Sequence, residues 1–142
     1  MTGAPLYCET RGRGRDLVLL HGWGLHGGIW EPIAARLAER FRVSVVDLPG
    51  HGHSPVAGAM TLAGVAGAVA ASVPSGATWI GWSLGGLVAL SGALQGAGIE
   101  RLALVAATPR FVTAPDWPWA VPASVLSGFA RDLEGDYRAT LQ

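Results

Sequence analysis

The segment that most constrains this chain lies near its middle, where residues 78–90 read T-W-I-G-W-S-L-G-G-L-V-A-L. A short apolar run of strand length precedes the Gly-Trp-Ser-Leu-Gly sequence, and an apolar helical run follows it. The pattern G-x-S-x-G between a strand and a helix predicts a tight turn with Ser83 at its apex. Glycine is needed at positions 81 and 85 because a side chain there would collide with the adjoining helix and strand.

Such a turn has direct chemical consequences. It lifts the Ser83 hydroxyl above the carboxyl end of the sheet and directs the Leu84 N–H, at a helix N-terminus, toward the same point. One turn then supplies a nucleophile and half of an oxyanion hole. The alternative is a chance match in a flexible loop, since the chain has 21 glycines, but the flanking strand and helix favour the catalytic interpretation.

The remaining apolar segments predict the fold around this turn. Strands are expected at residues 6–10, 17–20, 43–46 and 102–106, and helices at residues 29–41, 61–72 and 85–95. Strands that alternate with helices at this spacing predict an α/β fold with a mostly parallel sheet and right-handed crossovers.

A second loop is expected at the same end of the sheet as Ser83. His21-Gly22-Trp23-Gly24 directly follows the apolar strand at residues 17–20. Acyl transfer needs two N–H donors for the developing oxyanion, one beside the nucleophile and one from another loop. The glycines allow the loop to fold back, so Trp23 is the candidate for the second donor.

Composition excludes several classes of protein. Ten basic residues, all arginine, balance ten acidic ones among 142 residues, which argues against a nucleic-acid binder. The single Cys8 excludes an internal disulfide and a cysteine zinc site, and we expect no metal and no cofactor. With no evident signal peptide we expect a cytoplasmic protein, in which the Ala-rich residues 56–73 form a soluble helix rather than a membrane span.

The last part of the chain has a different character. Prolines and tryptophans from Thr108 onward prevent regular structure, and residues 121–142 predict one amphipathic helix. We therefore assign residues 1–109 to the α/β core and residues 110–142 to the start of a lid or cap segment. The alternative is a C-terminal helix packed on the sheet edge.

Three motifs in this order carry a family resemblance: H-G-W-G, D-L-P-G-H-G-H-S and G-W-S-L-G-G. The chain resembles the α/β-hydrolase fold over essentially its whole length. With its D-W-P-W and P-A-S-V-L-S-G-F segments it is further similar to the pimeloyl-acyl-carrier-protein methyl ester esterases of biotin synthesis. The resemblance implies a cytoplasmic serine carboxylesterase that takes a carrier-bound or small-molecule ester and releases methanol from the pimeloyl methyl ester, with no nucleic-acid or membrane partner.

The resemblance also assigns roles to residues. Ser83 would be the catalytic nucleophile, the N–H groups of Trp23 and Leu84 would form the oxyanion hole, and these three residues would contact the substrate. Trp23 would also line the acyl site. No metal ligand is implied.

The family takes its acid and base from loops that follow the nucleophile. All four histidines here, at positions 21, 26, 51 and 53, precede Ser83. We expect His21, His51 and His53 to be structural and Asp47 to fix its own loop. The chain as given is therefore expected to be the N-terminal part of an esterase, truncated before the last strands, without the acid and base and inactive alone.

Two other functions stay open at this stage. The motif G-W-S-x-G-G also fits another small α/β-hydrolase, such as a perhydrolase-like enzyme or a C–C-bond hydrolase. A non-catalytic remnant that keeps only the acyl-binding pocket is the alternative from a different class. Labelling of Ser83 by a fluorophosphonate would argue against a remnant.

Overall fold

A five-stranded sheet organises the larger of two compact units into which the chain divides after Ala107. The structure is a computed structural model that describes residues 5–56 and 60–142. The strands are β1 (Cys8–Arg11), β2 (Arg15–Leu20), β3 (Phe41–Val46), β4 (Thr78–Trp82) and β5 (Arg101–Val105), and their order across the sheet is β1-β3-β2-β4-β5. Strands β3, β2, β4 and β5 run parallel, and β1 pairs antiparallel with β3.

Helices cover both faces of this sheet. The helices of the larger unit are a 3-10 helix (Gly27–Trp30), α1 (Glu31–Leu37), α2 (Leu62–Ser72) and α3 (Leu84–Leu94). On β2, Val18 and Leu20 belong to the core cluster beneath α2 and α3, whereas Leu17 and Leu19 belong to the cluster beneath α1. A strand buried on both faces needs a continuous apolar sequence rather than an alternating one, which is why β2 reads D-L-V-L-L. The predicted α/β architecture, a mostly parallel sheet with helices on both faces, is confirmed.

The helix predicted at residues 29–41 is shorter than expected. It starts as the 3-10 helix, where the His26 imidazole accepts the Gly28 N–H at 3.1 Å, and α1 ends at Leu37. Phe41, assigned to the helix from its spacing, instead begins β3 and pairs with Arg15. The helical periodicity was misleading here because Phe41 reaches the same core cluster from the strand.

The smaller unit, Thr108–Gln142, begins without regular structure, as predicted. Two isolated bridges, Val112 with Val121 and Ala114 with Trp117, close its first turn. The single helix predicted at residues 121–142 is wrong, because the chain forms α4 (Ala123–Gly135) and α5 (Tyr137–Thr140). Between them Asp136 has an extended backbone, and its carboxylate accepts the Ala139 N–H at 3.0 Å, which caps α5. The role of residues 110–142 as the start of a lid stays a prediction.

The Ala-rich segment forms the eleven-residue α2, capped by the Thr61 hydroxyl on the Gly64 N–H. Residues 57–59 of the apolar stretch lie outside the described residues. Within residues 5–56 and 60–142, no helix has both the length and the apolar character that crossing a membrane requires.

Candidate active site

Ser83 joins the end of β4 to the start of α3 and has a strained backbone. Its φ of 55° and ψ of −116° lie outside the regions that most residues occupy. The Ser83 N–H donates to the carbonyl of Val105 in the neighbouring strand β5, at 2.9 Å. The turn predicted from G-x-S-x-G is therefore present, and its apex is tied to the adjacent strand.

Glycines on both sides of Ser83 make this turn possible. A Cβ atom at Gly81 would lie 2.2 Å from the carbonyl oxygen of Gly85, and one at Gly85 would lie 2.4 Å from the carbonyl oxygen of Leu20. Both separations are far below van der Waals contact, and in each case the obstacle is backbone. The expected need for glycine at positions 81 and 85 is confirmed.

The loop after β2 lies directly beside Ser83. A Cβ atom at Gly22 would be 3.5 Å from the Ser83 Cβ and 3.3 Å from the Trp82 ring. Trp23 follows in this loop with a side chain that is 39% exposed, and Gly24 completes the turn with a φ of 75°. The structure thus brings the loop that carries Trp23 next to the serine that precedes Leu84. The convergence of the two N–H groups on one oxyanion stays a prediction.

A buried histidine links this loop to the one after β3. The His21 Nε2 atom accepts the Leu48 N–H at 2.9 Å, and its Nδ1 atom lies 2.7 Å from the carbonyl oxygen of Gly22. This pattern assigns the proton to Nδ1, because Nε2 must be an acceptor. Burial lowers the pKa of His21. Both ring nitrogens are engaged, so His21 is a neutral structural link, as expected from the sequence.

Asp47 fixes the segment D-L-P-G-H-G-H-S at the end of β3. One carboxylate oxygen accepts the Gly27 N–H at 2.6 Å, and the other accepts the His53 N–H at 2.8 Å. Its carbonyl accepts the Ser54 hydroxyl at 2.6 Å, and Ser54 Oγ accepts the Tyr7 N–H at 2.8 Å. Burial alone would raise the pKa of Asp47, but these backbone donors outweigh it and the pKa is lowered. The expectation that Asp47 holds its own loop is confirmed.

The sequence model of the alpha/beta hydrolase family matches residues 17–141, which include the loops after β2 and β3 and the serine turn. The chain belongs to the alpha/beta hydrolase family.

Two curated relatives of this alpha/beta hydrolase chain, from different organisms, carry the same name. This chain is 50% identical over 133 residues to the pimeloyl-[acyl-carrier protein] methyl ester esterase of Methylococcus capsulatus, and the match covers 93% of this chain and 52% of that protein. It is 49% identical over 138 residues to the protein of that name from Stenotrophomonas maltophilia strain K279a, covering 96% of this chain and 53% of the relative. The chain therefore spans about half the length of the curated relatives it matches.

A solved structure agrees on the fold. The esterase EaEST from Exiguobacterium antarcticum superposes with a TM-score of 0.83 at 26% sequence identity, covering 96% of this chain and 54% of that one. The fold of this alpha/beta hydrolase chain is thus matched by an esterase of known structure over 96% of its length.

Two further histidines of this alpha/beta hydrolase chain have polar partners within their own loop. His51 Nδ1 lies 3.0 Å from the carbonyl oxygen of Pro49, and His53 Nδ1 lies 3.5 Å from a carboxylate oxygen of Asp47. Within the described ranges, no hydrogen bond joins an imidazole to the Ser83 hydroxyl. In the same residues, no group of three His, Cys, Asp or Glu side chains is arranged to hold a metal ion.

One residue beside the serine turn was missed by sequence reasoning. Ala106, directly after β5, has a φ of 46° although it is not glycine. The next residue, Ala107, lies against α3, because a Cβ atom at Gly86 would be 2.4 Å from the Ala107 Cβ. A lone alanine after an apolar strand carries no sequence signal for a left-handed backbone, so this feature is visible only in the structure.

Proposed function

We propose that this alpha/beta hydrolase chain carries the nucleophile and the oxyanion hole of a serine carboxylesterase that cleaves the methyl ester of pimeloyl-acyl-carrier protein in biotin biosynthesis. The observation that carries the proposal is the strained turn at Ser83, with glycines where any side chain would meet backbone. The relatives at about half identity support the substrate. A role in this synthesis implies a cytoplasmic location.

The proposed reaction follows from the position of Ser83. Its Oγ attacks the carbonyl carbon of the methyl ester and gives a tetrahedral intermediate, whose oxyanion accepts hydrogen bonds from the N–H groups of Trp23 and Leu84. Leu84 is the first residue of α3, so its N–H is among those without an acceptor inside the helix. Collapse of the intermediate expels methanol, which takes the proton removed from Ser83. Water then hydrolyses the acyl-serine and releases the free carboxylate.

The proton of Ser83 needs a base, since a serine hydroxyl is a weak nucleophile at its own pKa. His21 is engaged at both nitrogens, and His51 and His53 have partners in their own loop. We therefore expect the 142-residue chain to hydrolyse esters slowly. Serine hydrolases that lack triad members keep about 10³–10⁴-fold catalysis over water from the oxyanion hole and binding.

The test is an ester hydrolysis assay on the 142-residue chain with Ser83→Ala as its control. The expected result is a slow rate that depends on Ser83 and is unchanged in His51→Ala and His53→Ala. A rate near the enzymatic norm of about ten per second that vanished in either histidine variant would show that the base is one of these residues. A rate equal to that of Ser83→Ala, together with no labelling of Ser83 by a fluorophosphonate, would refute the assignment of Ser83.

The substrate is tested separately. The Ser83-dependent rate on pimeloyl-acyl-carrier-protein methyl ester is compared with the rate on short aryl esters of matched intrinsic reactivity. Preference for the pimeloyl ester is expected, and preference for the aryl esters would favour another small hydrolase. Absence of Ser83 labelling by a fluorophosphonate, with binding of the pimeloyl ester retained, would favour a non-catalytic acyl-binding remnant.

The same proposal includes docking of the carrier protein. Acyl-carrier proteins are acidic, and two exposed arginines, Arg131 on α4 and Arg138 on α5, offer positive charge in the smaller unit. Replacing both with glutamate should weaken binding of acyl-carrier protein and spare hydrolysis of a free methyl ester. Arg36→Glu on α1 is the matched control for the change in charge. If Arg36→Glu weakens binding as much as the double variant does, or if the double variant slows both substrates equally, these arginines are not part of the docking surface.

A further inference from the structure

Two residues of the described chain combine a side chain with a positive φ, and they are neighbours in space. These residues are Ser83, with a φ of 55°, and Ala106, with a φ of 46°. Ser83 directly follows β4 and Ala106 directly follows β5, and the two strands pair in parallel with Trp82 opposite Val105. The two strained positions therefore lie at the same end of adjacent strands.

The residues on either side of Ala106 both contact the segment that forms the serine turn and the start of α3. Before it, the carbonyl of Val105 accepts the Ser83 N–H at 2.9 Å. After it, Ala107 lies so close to Gly86 that a Cβ there would be 2.4 Å from the Ala107 Cβ. One contact is made to the apex of the turn and the other to the first turn of α3.

Only a sharp change of direction at Ala106 allows both contacts. If β5 continued as a strand, each further residue would advance about 3.3 Å along the sheet, and Ala107 would move away from α3. The left-handed conformation turns the chain within one residue. It costs a residue with a Cβ roughly 1–2 kcal/mol relative to the usual regions, so the surrounding contacts must maintain it.

We propose that Ala106 is a positioning residue for Ser83: its left-handed backbone keeps the Val105 carbonyl on the Ser83 amide and the Ala107 methyl group against Gly86, which holds the nucleophile in place. This inference rests on the proposed function, in which Ser83 attacks the ester. Ala106 itself is exposed and takes no part in the chemistry.

The test uses substitutions that differ in their tolerance of a positive φ. Ala106→Asn and Ala106→Gly allow the left-handed region, whereas Ala106→Val opposes it because valine is branched at Cβ. Asparagine and valine are of similar size, so a difference between them reports on the backbone. Ala93→Val, at an exposed position inside α3, is the control for introducing valine where φ is helical.

Two measurements are made on the 142-residue chain. The first is the hydrogen exchange rate of the Ser83 amide, which reports on its bond to Val105. The second is Ser83-dependent hydrolysis of a p-nitrophenyl ester, measured as kcat and KM after subtraction of the Ser83→Ala rate. We expect Ala106→Val to raise the Ser83 exchange rate about tenfold, from the cost of the left-handed backbone, and to lower kcat with KM unchanged. The Ala106→Asn and Ala106→Gly variants should exchange no faster than the unsubstituted chain, and Ala93→Val should match it.

The outcomes separate this inference from the proposed function. If the unsubstituted chain hydrolyses no faster than Ser83→Ala and Ser83 is not labelled by a fluorophosphonate, the proposed function fails, while the exchange rates still decide the role of Ala106. Equal exchange in Ala106→Val and the unsubstituted chain, or equal disturbance by Asn and Val, overturns the inference. If Ala106→Val does not fold, Ala106→Ser takes its place. Asparagine favours the left-handed region more than serine does, so the Ser83 amide should exchange faster in Ala106→Ser than in Ala106→Asn, and equal exchange overturns the inference.

Discussion

The two edges of the sheet are built differently. At one edge, β1 is antiparallel to its neighbour and carries Glu9 and Arg11, and the Arg11 guanidinium forms two hydrogen bonds of 2.7 Å to Glu31 on α1. At the other edge, β5 is parallel to its neighbour and reads R-L-A-L-V, with Leu104 42% exposed and Val105 45% exposed. One edge exposes paired charges, and the other exposes aliphatic side chains.

The two edges therefore differ in how readily another strand can pair with them. Charged side chains on a short edge strand discourage the addition of another strand, whereas an apolar edge is a template for it. The sequence of β5 is typical of a strand that is covered on both faces and both sides. The β1 edge is therefore protected in this chain, and the β5 edge is prone to association.

The carboxyl ends of the strands show the same asymmetry. At the ends of β2 and β3, the two carboxylate oxygens of Asp47 and the imidazole of His21 fix the two loops that follow these strands through buried and part-buried hydrogen bonds. Beside β5, the turn at Ser83 is held by its bond to Val105 and by the approach of Ala107 to Gly86. Polar networks stabilise one side of the sheet, and backbone geometry stabilises the other.

The largest effect is expected at the β5 edge. We predict that the 142-residue chain is poorly soluble or self-associates, and that Leu104→Lys shifts it toward monomer because a charge blocks edge-to-edge pairing. Sedimentation velocity at several concentrations measures the shift. Leu94→Lys is the matched control, since Leu94 is an 83% exposed leucine at the end of α3 rather than on the edge. A monodisperse monomer with a sharp cooperative melt before any substitution would contradict the prediction.

The next largest effect is expected from Asp47. Asp47→Ala leaves the Gly27 and His53 N–H groups without their acceptor, and each lost buried bond costs about 1–3 kcal/mol. We expect the free energy of unfolding in urea to fall by about 2–4 kcal/mol. Asp47→Asn keeps one acceptor oxygen and should lose less.

The control for Asp47→Ala is Asp16→Ala. Asp16 lies at the start of β2, and its loss removes the ion-pair partner of Arg42. Arg42 is exposed, and exposed ion pairs contribute little, so the loss there should be clearly smaller. If the two substitutions destabilise the chain equally, the polar network at the ends of β2 and β3 is not what holds that side of the sheet.

The pH dependence of stability should come from the same side of the sheet. Burial lowers the pKa of His21 in the folded chain below the ordinary 6.5, so the unfolded chain binds a proton there that the folded chain does not. The free energy of unfolding should therefore fall as pH drops below about 6.5, by at most about 1.4 kcal/mol per pH unit for one proton. The pKa of Asp47 is lowered from 3.8, and its contribution is present above that pH and is lost below it.

Urea titrations between neutral and mildly acidic pH measure this slope. His21→Asn should remove the part of the slope that begins near pH 6.5, at the cost of lower stability at neutral pH. His26→Asn is the control, because His26 lies on the exposed start of the 3-10 helix. If the pH dependence of the free energy of unfolding persisted in His21→Asn and disappeared in His26→Asn, it would come from His26 and not from His21.

The sequence predicts the Ser83 side of the site better than its surroundings. The G-x-S-x-G spacing predicts the serine turn, and the obstacle that requires glycine at position 81 is local, at Gly85, although the obstacle at Gly85 itself is Leu20 on another strand. Ala106 and the end of α1 at Leu37 depend on contacts with segments far away in the chain, and no local pattern reports such contacts. The break at Asp136 between α4 and α5 was missed because the apolar spacing continues across it, while a single capping carboxylate interrupts the helix.

The smallest effect is expected at the ion pair that marks the β1 edge. The hydrogen bonds between Arg11 and Glu31 lower the pKa of Glu31 and raise the pKa of Arg11. Glu31 is exposed and Arg11 is half-buried, so water and salt screen the pair and it contributes little. Arg11→Gln, Glu31→Gln and the double variant should melt within experimental error of the unsubstituted chain. Their coupling in a double-mutant cycle should vanish at high salt. A large coupling that salt does not reduce would mean that this pair stabilises the edge strand itself, and that the charges at β1 do more than discourage the addition of another strand.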